Sequence, residues 1–199
     1  MKHKKLHEAS TLVGAGISVL LTGEKGSGKT TLAQHVAEAL TLKFYSMSMT
    51  RQTTLSHLLG FMNVTGKYVP SQLRDAAENG GIMLLDEIDA SDANVILCLN
   101  TVENGYISLP DKVVQLHPDF RLMATSNPQG KDYNGRGKLD ASTLDRFDTI
   151  EVDRDENLEL ALVDELTFSH MTLIRECLKE NNSPTYVSMR DSIRFFNRK

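Results

Sequence analysis

The stretch Gly23-Glu24-Lys25-Gly26-Ser27-Gly28-Lys29-Thr30 decides the reading of this chain. It fits the phosphate-loop pattern GxxxxGK[ST] at every position. The apolar run Ile17-Ser18-Val19-Leu20-Leu21 before it reads as a buried strand. The segment Thr31 to Leu40 after it carries a helical pattern. Strand, glycine-rich turn and helix is the context such a loop needs. The glycines let successive backbone N–H groups turn inward onto phosphate oxygens. The helix start adds the positive end of its dipole. Lys29 is placed to reach the β- and γ-phosphates, and the Thr30 hydroxyl to ligate Mg²⁺. Gly23 through Thr30, with Thr31 behind them, are therefore the candidate nucleotide-binding residues. A glycine-rich turn that matches by chance is the alternative, and the flanks argue against it.

The bulk properties allow this and exclude little. With 199 residues the chain is one large domain, or a core with a small appendage, and it is long enough to bury a substantial core. A hydrophobic share of 40% and a charged share of 24% are ordinary for a globular protein. The net charge of −4 gives no global basic signal for nucleic acid. Cys98 and Cys177 stand far apart without a CxxC pair, so reduced thiols are expected and a zinc site is not. The start Met1-Lys2-His3-Lys4-Lys5 leads into polar sequence without a signal-peptide core. No stretch approaches the roughly 18 apolar residues of a membrane span. A cytoplasmic protein is expected.

Along the chain, strands and helices alternate to about residue 153, and from 155 the pattern is helical alone. A helix is expected over 4–15, then strand 17–22, helix 29–41, strand 43–47 and a helical stretch over 50–60. Phe61 to Pro70 reads as irregular, with Asn63, Gly66 and Pro70 as breakers. A helix runs from Ser71 to Gly80, with a Ser start and a Gly stop. Strand 82–85, helix 92–103, a hairpin over 106–116, strand 120–125, a glycine-rich loop over 129–138, a short helix 140–146 and strand 149–152 follow. The expected fold is α/β: a parallel five-stranded sheet flanked by helices, with a small C-terminal α-helical lid. The core spans 1–153 and the lid 154–199.

Ligands in such sheets bind at the carboxyl ends of the strands. The phosphate loop, Asp86-Glu87 and Asn127 all fall at such ends, so three polar sites converge on one edge. Asp86, after four apolar residues, is placed to help hold Mg²⁺. Glu87 is placed to orient and polarise a water for attack on the γ-phosphate. A plain acidic pair at a strand end is the alternative. Asp89 and Asp92 read as helix-start residues. Asn127 can hydrogen-bond the γ-phosphate or the attacking water, although Ser126-Asn127-Pro128 is also a turn signal. Arg136 and Arg146 follow. A guanidinium there can stabilise charge on the transferring phosphoryl group, in cis or from a neighbouring subunit. For Arg146, an ion pair with Asp145 or Asp148 is the competing reading.

With these residues in place the chain resembles the AAA+ ATPases, and within them the MoxR / CbbQ / CobS (dynein-related) group. Gly23–Thr30 is similar to Walker A and 82–87 to Walker B. Residues 124–128 resemble the sensor-1 strand of that group, and Leu144-Asp145-Arg146-Phe147 its LDRF segment. Residues 59–73 resemble its helix-2 insert, 105–118 the hairpin before sensor 1, and Val187-Ser188-Met189-Arg190 the sensor-2 segment of the lid. The likeness runs in order over almost the whole chain. The compact single module, with its stretch 135–140, also looks like phage-encoded members.

The resemblance implies ATP rather than GTP as nucleotide. It also implies a homo-oligomeric ring, commonly a hexamer, with ATP held between subunits. It makes Arg146 the best match for a finger on the neighbour's ATP, Arg136 a second candidate, and Arg190 a contact to ATP within the same subunit. The insert near Tyr68 and the hairpin 106–116 would grip a protein client, and an adaptor, often one with a von Willebrand A domain, frequently recognises it. The leading expectation is an ATP-hydrolysing remodeller of a protein client. The alternative is a motor or loader acting on nucleic acid, in phage replication or packaging. The net acidity and the lack of a helix-turn-helix or an aromatic stacking motif speak against it. A small-molecule kinase would need neither Asn127 nor a trans arginine, and the Asp86-Glu87 pair argues against a non-hydrolysing scaffold.

Overall fold

The computed structural model describes residues 2–128, 144–183 and 185–198. The glycine-rich loop 129–138, Arg136 within it, the stretch 135–140 and most of the helix expected over 140–146 lie outside the described residues.

Helix α1 (Leu6–Gly14) leads into β1 (Val19–Thr22), and the phosphate loop joins β1 to α2 (Lys29–Leu40). Strand β2 (Phe44–Ser48) and the short helix α3 (Leu55–Leu59) follow. The segment read as irregular contains a small antiparallel pair, β3 (Phe61–Met62) and β4 (Tyr68–Val69). Asn63 closes its turn, its side-chain oxygen accepting from the N–H groups of Thr65 and Lys67. Two-residue strands carry too little alternation to be seen in a sequence pattern.

Helix α4 (Gln72–Asn79) is capped by the Ser71 hydroxyl, which accepts from the Arg74 N–H, and it ends at Gly80 as expected. Strand β5 (Gly81–Asp86) follows. The helix expected over 92–103 is instead a short α5 (Ala93–Ile96) continued by a 3₁₀ stretch, Leu97–Asn104. Val95, Ile96, Thr101 and Val102 are β-branched and support a regular α-helix weakly. The hairpin pairs β6 (Tyr106–Ser108) with β7 (Val113–Gln115), and β8 (Phe120–Ser126) and β9 (Asp148–Glu151) complete the sheet.

Among the described residues the main sheet is five-stranded in the order β2-β5-β8-β1-β9, and every pairing is parallel. Parallel strands need crossovers, so helices cover both faces. Alternation along the strands divides the core. Val19, Leu21, Ile82, Leu84 and Met123 pack with α1 and α2. Leu20, Met83, Leu85, Leu122 and Ala124 pack on the other side with α4 and the hairpin residues Ile107 and Val114. The central strands β5, β8 and β1 are adjacent, so their carboxyl ends meet at one place.

The C-terminal segment is helical: α6 (Glu156–Leu162), α7 (Glu165–Glu180) and α8 (Met189–Phe196). Side chains of Asp155, Asp164 and Ser188 accept N–H groups at the three helix starts. Glu159, fully buried, is paired with Arg175 at 2.7 Å and Arg154 at 3.4 Å. Arg175 also donates to the Val187 carbonyl and the Ser192 hydroxyl. This ties the three helices together and seats Ser188 over the phosphate loop. No helix among the described residues is long and apolar enough to cross a membrane.

Candidate functional site

The phosphate loop leaves β1 and turns into α2 at Gly28. Gly26 shows why the loop needs glycine. Its φ is +80°, and a Cβ there would lie 2.6 Å from the Ser188 Oγ of the helical segment. Core and helical segment therefore touch directly at the loop.

Lys29 is 8% exposed. Its Nζ donates to the carbonyls of Gly23 at 2.6 Å and Glu24 at 3.0 Å, and to Asn127 Oδ1 at 3.1 Å. Burial pushes its pKa down to about 8, and the charges of Asp86, Asp89, Glu87 and Glu24 oppose that fall. Asn127, at the end of β8, is 7% exposed, and its Nδ2 has no hydrogen-bond partner among the described residues. The Ser27 hydroxyl in the loop is likewise buried and unpartnered. Buried donors are normally satisfied, so the orphaned Asn127 amide beside the Lys29 ammonium fits the oxygens of a phosphate.

The Thr30 hydroxyl at the start of α2 lies 3.2 Å from both carboxylate oxygens of Asp86 at the end of β5. A hydroxyl beside a carboxylate is the hard oxygen pair that Mg²⁺ takes from a protein, with phosphates and water completing the shell. Among the described residues no group of three or more His, Cys, Asp or Glu could form a closed metal cage. The residues present thus fit Mg²⁺ bound jointly with a nucleotide.

Glu87 follows in a left-handed conformation, φ 58° and ψ 47°. That region disfavours a non-glycine residue. Its N–H donates to the Thr125 Oγ1 at 2.8 Å, and the same hydroxyl donates to Asp86 Oδ1 at 2.6 Å. Thr125 joins the two acidic residues across 38 and 39 positions of chain. Sequence reasoning placed it in a strand and gave it no role, since a buried threonine in a strand carries no signal of its own.

Arg190, at the start of α8, lines the same cleft as Lys29, Thr30, Asp86, Glu87 and Asn127, and Lys25 and Thr31 also line it. Arg146 is not brought there. It precedes β9 and lines a separate cavity with Gly16–Ser18, ahead of β1, and Phe120, at the start of β8. That is the opposite end of the strands. Its guanidinium donates to Asn100 and pairs with Glu103 at 3.4 Å, so its partners are neither Asp145 nor Asp148.

The family model of the AAA domain (dynein-related subfamily) matches residues 18–147. A midasin from Giardia intestinalis is 30% identical over 173 residues, covering 81% of this chain and 4% of that protein. A midasin from Dictyostelium discoideum is 32% identical over 153 residues, covering 73% of this chain and 3% of its own length. The chain therefore spans only a small part of these relatives. A crystal structure of a candidate ATPase from Cytophaga hutchinsonii shares the fold, with a TM-score of 0.63 at 21% identity, covering 98% of this chain and 58% of that one. The loop, the acidic strand end and Asn127 on adjacent parallel strands agree with the sequence match, and the chain belongs to the dynein-related subfamily of AAA domains.

Proposed function

We propose that this chain hydrolyses ATP to ADP and phosphate as one subunit of a closed ring, a hexamer, and that the ring remodels a protein client. In this reading residues 1–153 form the nucleotide-binding core and 154–199 a lid that closes over it. The observation that carries the proposal is the linked set at the strand ends: Lys29 with Asn127, and Thr30, Asp86, Thr125 and Glu87 in one hydrogen-bonded chain.

Lys29 and the loop amides of Gly23 to Thr30 hold the phosphates, with Thr31 behind them and Arg190 reaching in from the lid. Thr30 and Asp86 would hold Mg²⁺, which would supply positive charge against the phosphate oxygens. Glu87 accepts a proton from the attacking water as its oxygen bonds to the γ-phosphorus. The bond to the bridging oxygen breaks, leaving ADP. Asn127 Nδ2 donates to the γ-phosphate or to that water. Arg146, remote from its own cleft, serves the neighbour's, and Arg136 is a second candidate for that contact. Phe61 and Met62, each nearly half exposed, and fully exposed Val64 give the β3–β4 hairpin an apolar tip suited to a polypeptide client. Cys98 and Cys177 are free thiols, which suits a cytoplasmic protein.

The test is ATP turnover per mole of chain over a wide range of protein concentration with Mg²⁺. Specific activity should climb with concentration. Arg146→Ala should abolish it while leaving ATP binding, and Glu87→Gln should cost about 100-fold or more in turnover. Turnover that is flat from dilute to concentrated would mean that each monomer holds a complete site, and the ring proposal would be abandoned.

A further inference from the structure

Thr125 stands at the centre of the site, at the floor of the cleft that the phosphate loop also lines. It is fully buried on β8, between the phosphate-loop strand β1 and the acidic strand β5. Its hydroxyl uses both of its capacities on consecutive residues, donating to Asp86 Oδ1 at 2.6 Å and accepting from the Glu87 N–H at 2.8 Å. Thr30 approaches the same Asp86 carboxylate from α2. The Asp86 side chain is thus gripped from both sides.

Glu87 is where the chain leaves β5 in a left-handed turn, and its carbonyl accepts the Ala90 N–H at 2.9 Å as the following 3₁₀ turn begins. A non-glycine residue keeps such a backbone only where its surroundings over-determine it. The Thr125 hydroxyl supplies a fixed acceptor for the N–H exposed by that turn. A methyl group in its place would leave the N–H without this partner and Asp86 without its shortest hydrogen bond.

We propose that Thr125 is a positioning residue for the Asp86-Glu87 pair, and that its hydroxyl sets the left-handed turn from which Glu87 addresses the attacking water. The assignment rests on the ATP-hydrolysis reading above. Thr125 acts through the acidic pair, to which both of its hydroxyl hydrogen bonds run.

The experiment measures kcat and KM for ATP, with nucleotide affinity and thermal midpoint, for wild type, Glu87→Gln, Thr125→Val and Thr125→Ser. Wild-type turnover that collapses in Glu87→Gln establishes the underlying reading. Its absence would overturn that reading and the present one together. With turnover established, the isosteric Thr125→Val should lower kcat about 10- to 100-fold, as loss of partners to ligating carboxylates does. KM and nucleotide affinity should stay within about threefold, and Thr125→Ser should restore kcat to within about threefold of wild type, since it keeps the hydroxyl. In the Glu87→Gln background, Thr125→Val should cause little further loss, because the two act as a unit. If Thr125→Val does not fold, Thr125→Cys takes its place, a similar volume with a weak donor, and the same drop in kcat is expected. Unchanged kcat, a loss confined to KM, or a serine variant as impaired as the valine one would each overturn the proposal.

Discussion

Lys29 carries a buried charge among oxygen acceptors, and that makes its protonation measurable. Burial lowers its pKa from 10.5 to about 8. The native state therefore releases its proton well before the unfolded chain does. Between those values the unfolded state binds more protons, so this group's contribution to stability rises with pH. Nucleotide binding should follow the opposite sign, because phosphate needs the ammonium. Affinity for a fluorescent ATP analogue should weaken above about pH 8, by up to about tenfold per pH unit. Lys29→Met should bind weakly at every pH and lose that slope. A wild-type affinity that stays level from neutral pH to about pH 10 would show that Lys29 does not hold the phosphate charge.

At the scale of elements, Arg74 on α4 joins two hairpins that are distant in sequence. Its guanidinium lies 4.2 Å from the Tyr68 ring centroid, on β4. It also pairs with Asp111 at 2.8 Å, in the turn of the β6–β7 hairpin, and with Glu78 at 3.2 Å on its own helix. Lys112 reaches Glu78 at 2.7 Å, and the Tyr68 hydroxyl donates to the Leu59 carbonyl at 2.5 Å. Single contacts of these kinds contribute about 0.2–1 kcal/mol each, and here they share one side chain. Arg74→Met keeps the stem and removes the charge. It should cost about 1–2 kcal/mol of stability. Faster amide exchange should appear at 61–69 and 108–113 together, with basal ATP turnover within about twofold. Exchange that quickens in only one hairpin would show that Arg74 does not couple them. None of this was legible in the sequence, because Arg74 and Asp111 stand 37 positions apart with no pattern between them.

At the scale of the molecule, the N-terminal strap clasps the junction between sheet and helical segment. The His3 ring is buried and bridges within the strap, its Nδ1 accepting the Lys5 N–H at 3.1 Å. The proton then sits on Nε2, which faces the Asp153 carbonyl at 3.3 Å. The Lys4 N–H donates to Asp155, the residue that caps α6. Burial lowers the His3 pKa from 6.5, with the Asp153 carbonyl and the Asp155 charge opposing it. Burial tends to raise the Asp155 carboxyl, but the N–H groups of Lys4 and Leu158 outweigh it and hold that group below 3.8. Both are depressed, so both contributions are full at high pH and fade on acidification. His3 loses its part as pH falls below about 6.5, and Asp155 loses its part below about 3.8. A thermal-melt series should show two successive declines on acidification, and His3→Gln should remove the first. Parallel wild-type and His3→Gln curves between pH 7 and 5 would deny His3 this role.

The phosphate loop, the acidic end of β5, Asn127 and the alternation of strands and helices were legible in the sequence. Each is a run of neighbouring residues whose chemistry and period are local. The parallel sheet followed from them, since strands separated by helices have few other ways to bury both faces. Features that depend on distant partners were not legible. Thr125 became visible only when β8 lay beside β5, and the Arg74 junction only when two hairpins met over α4. Arg146 had local candidates for an ion pair, yet packing gave it Asn100 and Glu103, which no spacing rule selects. The small β3–β4 pair and the 3₁₀ stretch after α5 also escaped, because such short or irregular segments are decided by their packing. Local composition set the elements and the reactive groups, while the order β2-β5-β8-β1-β9 decided which of those groups share a site.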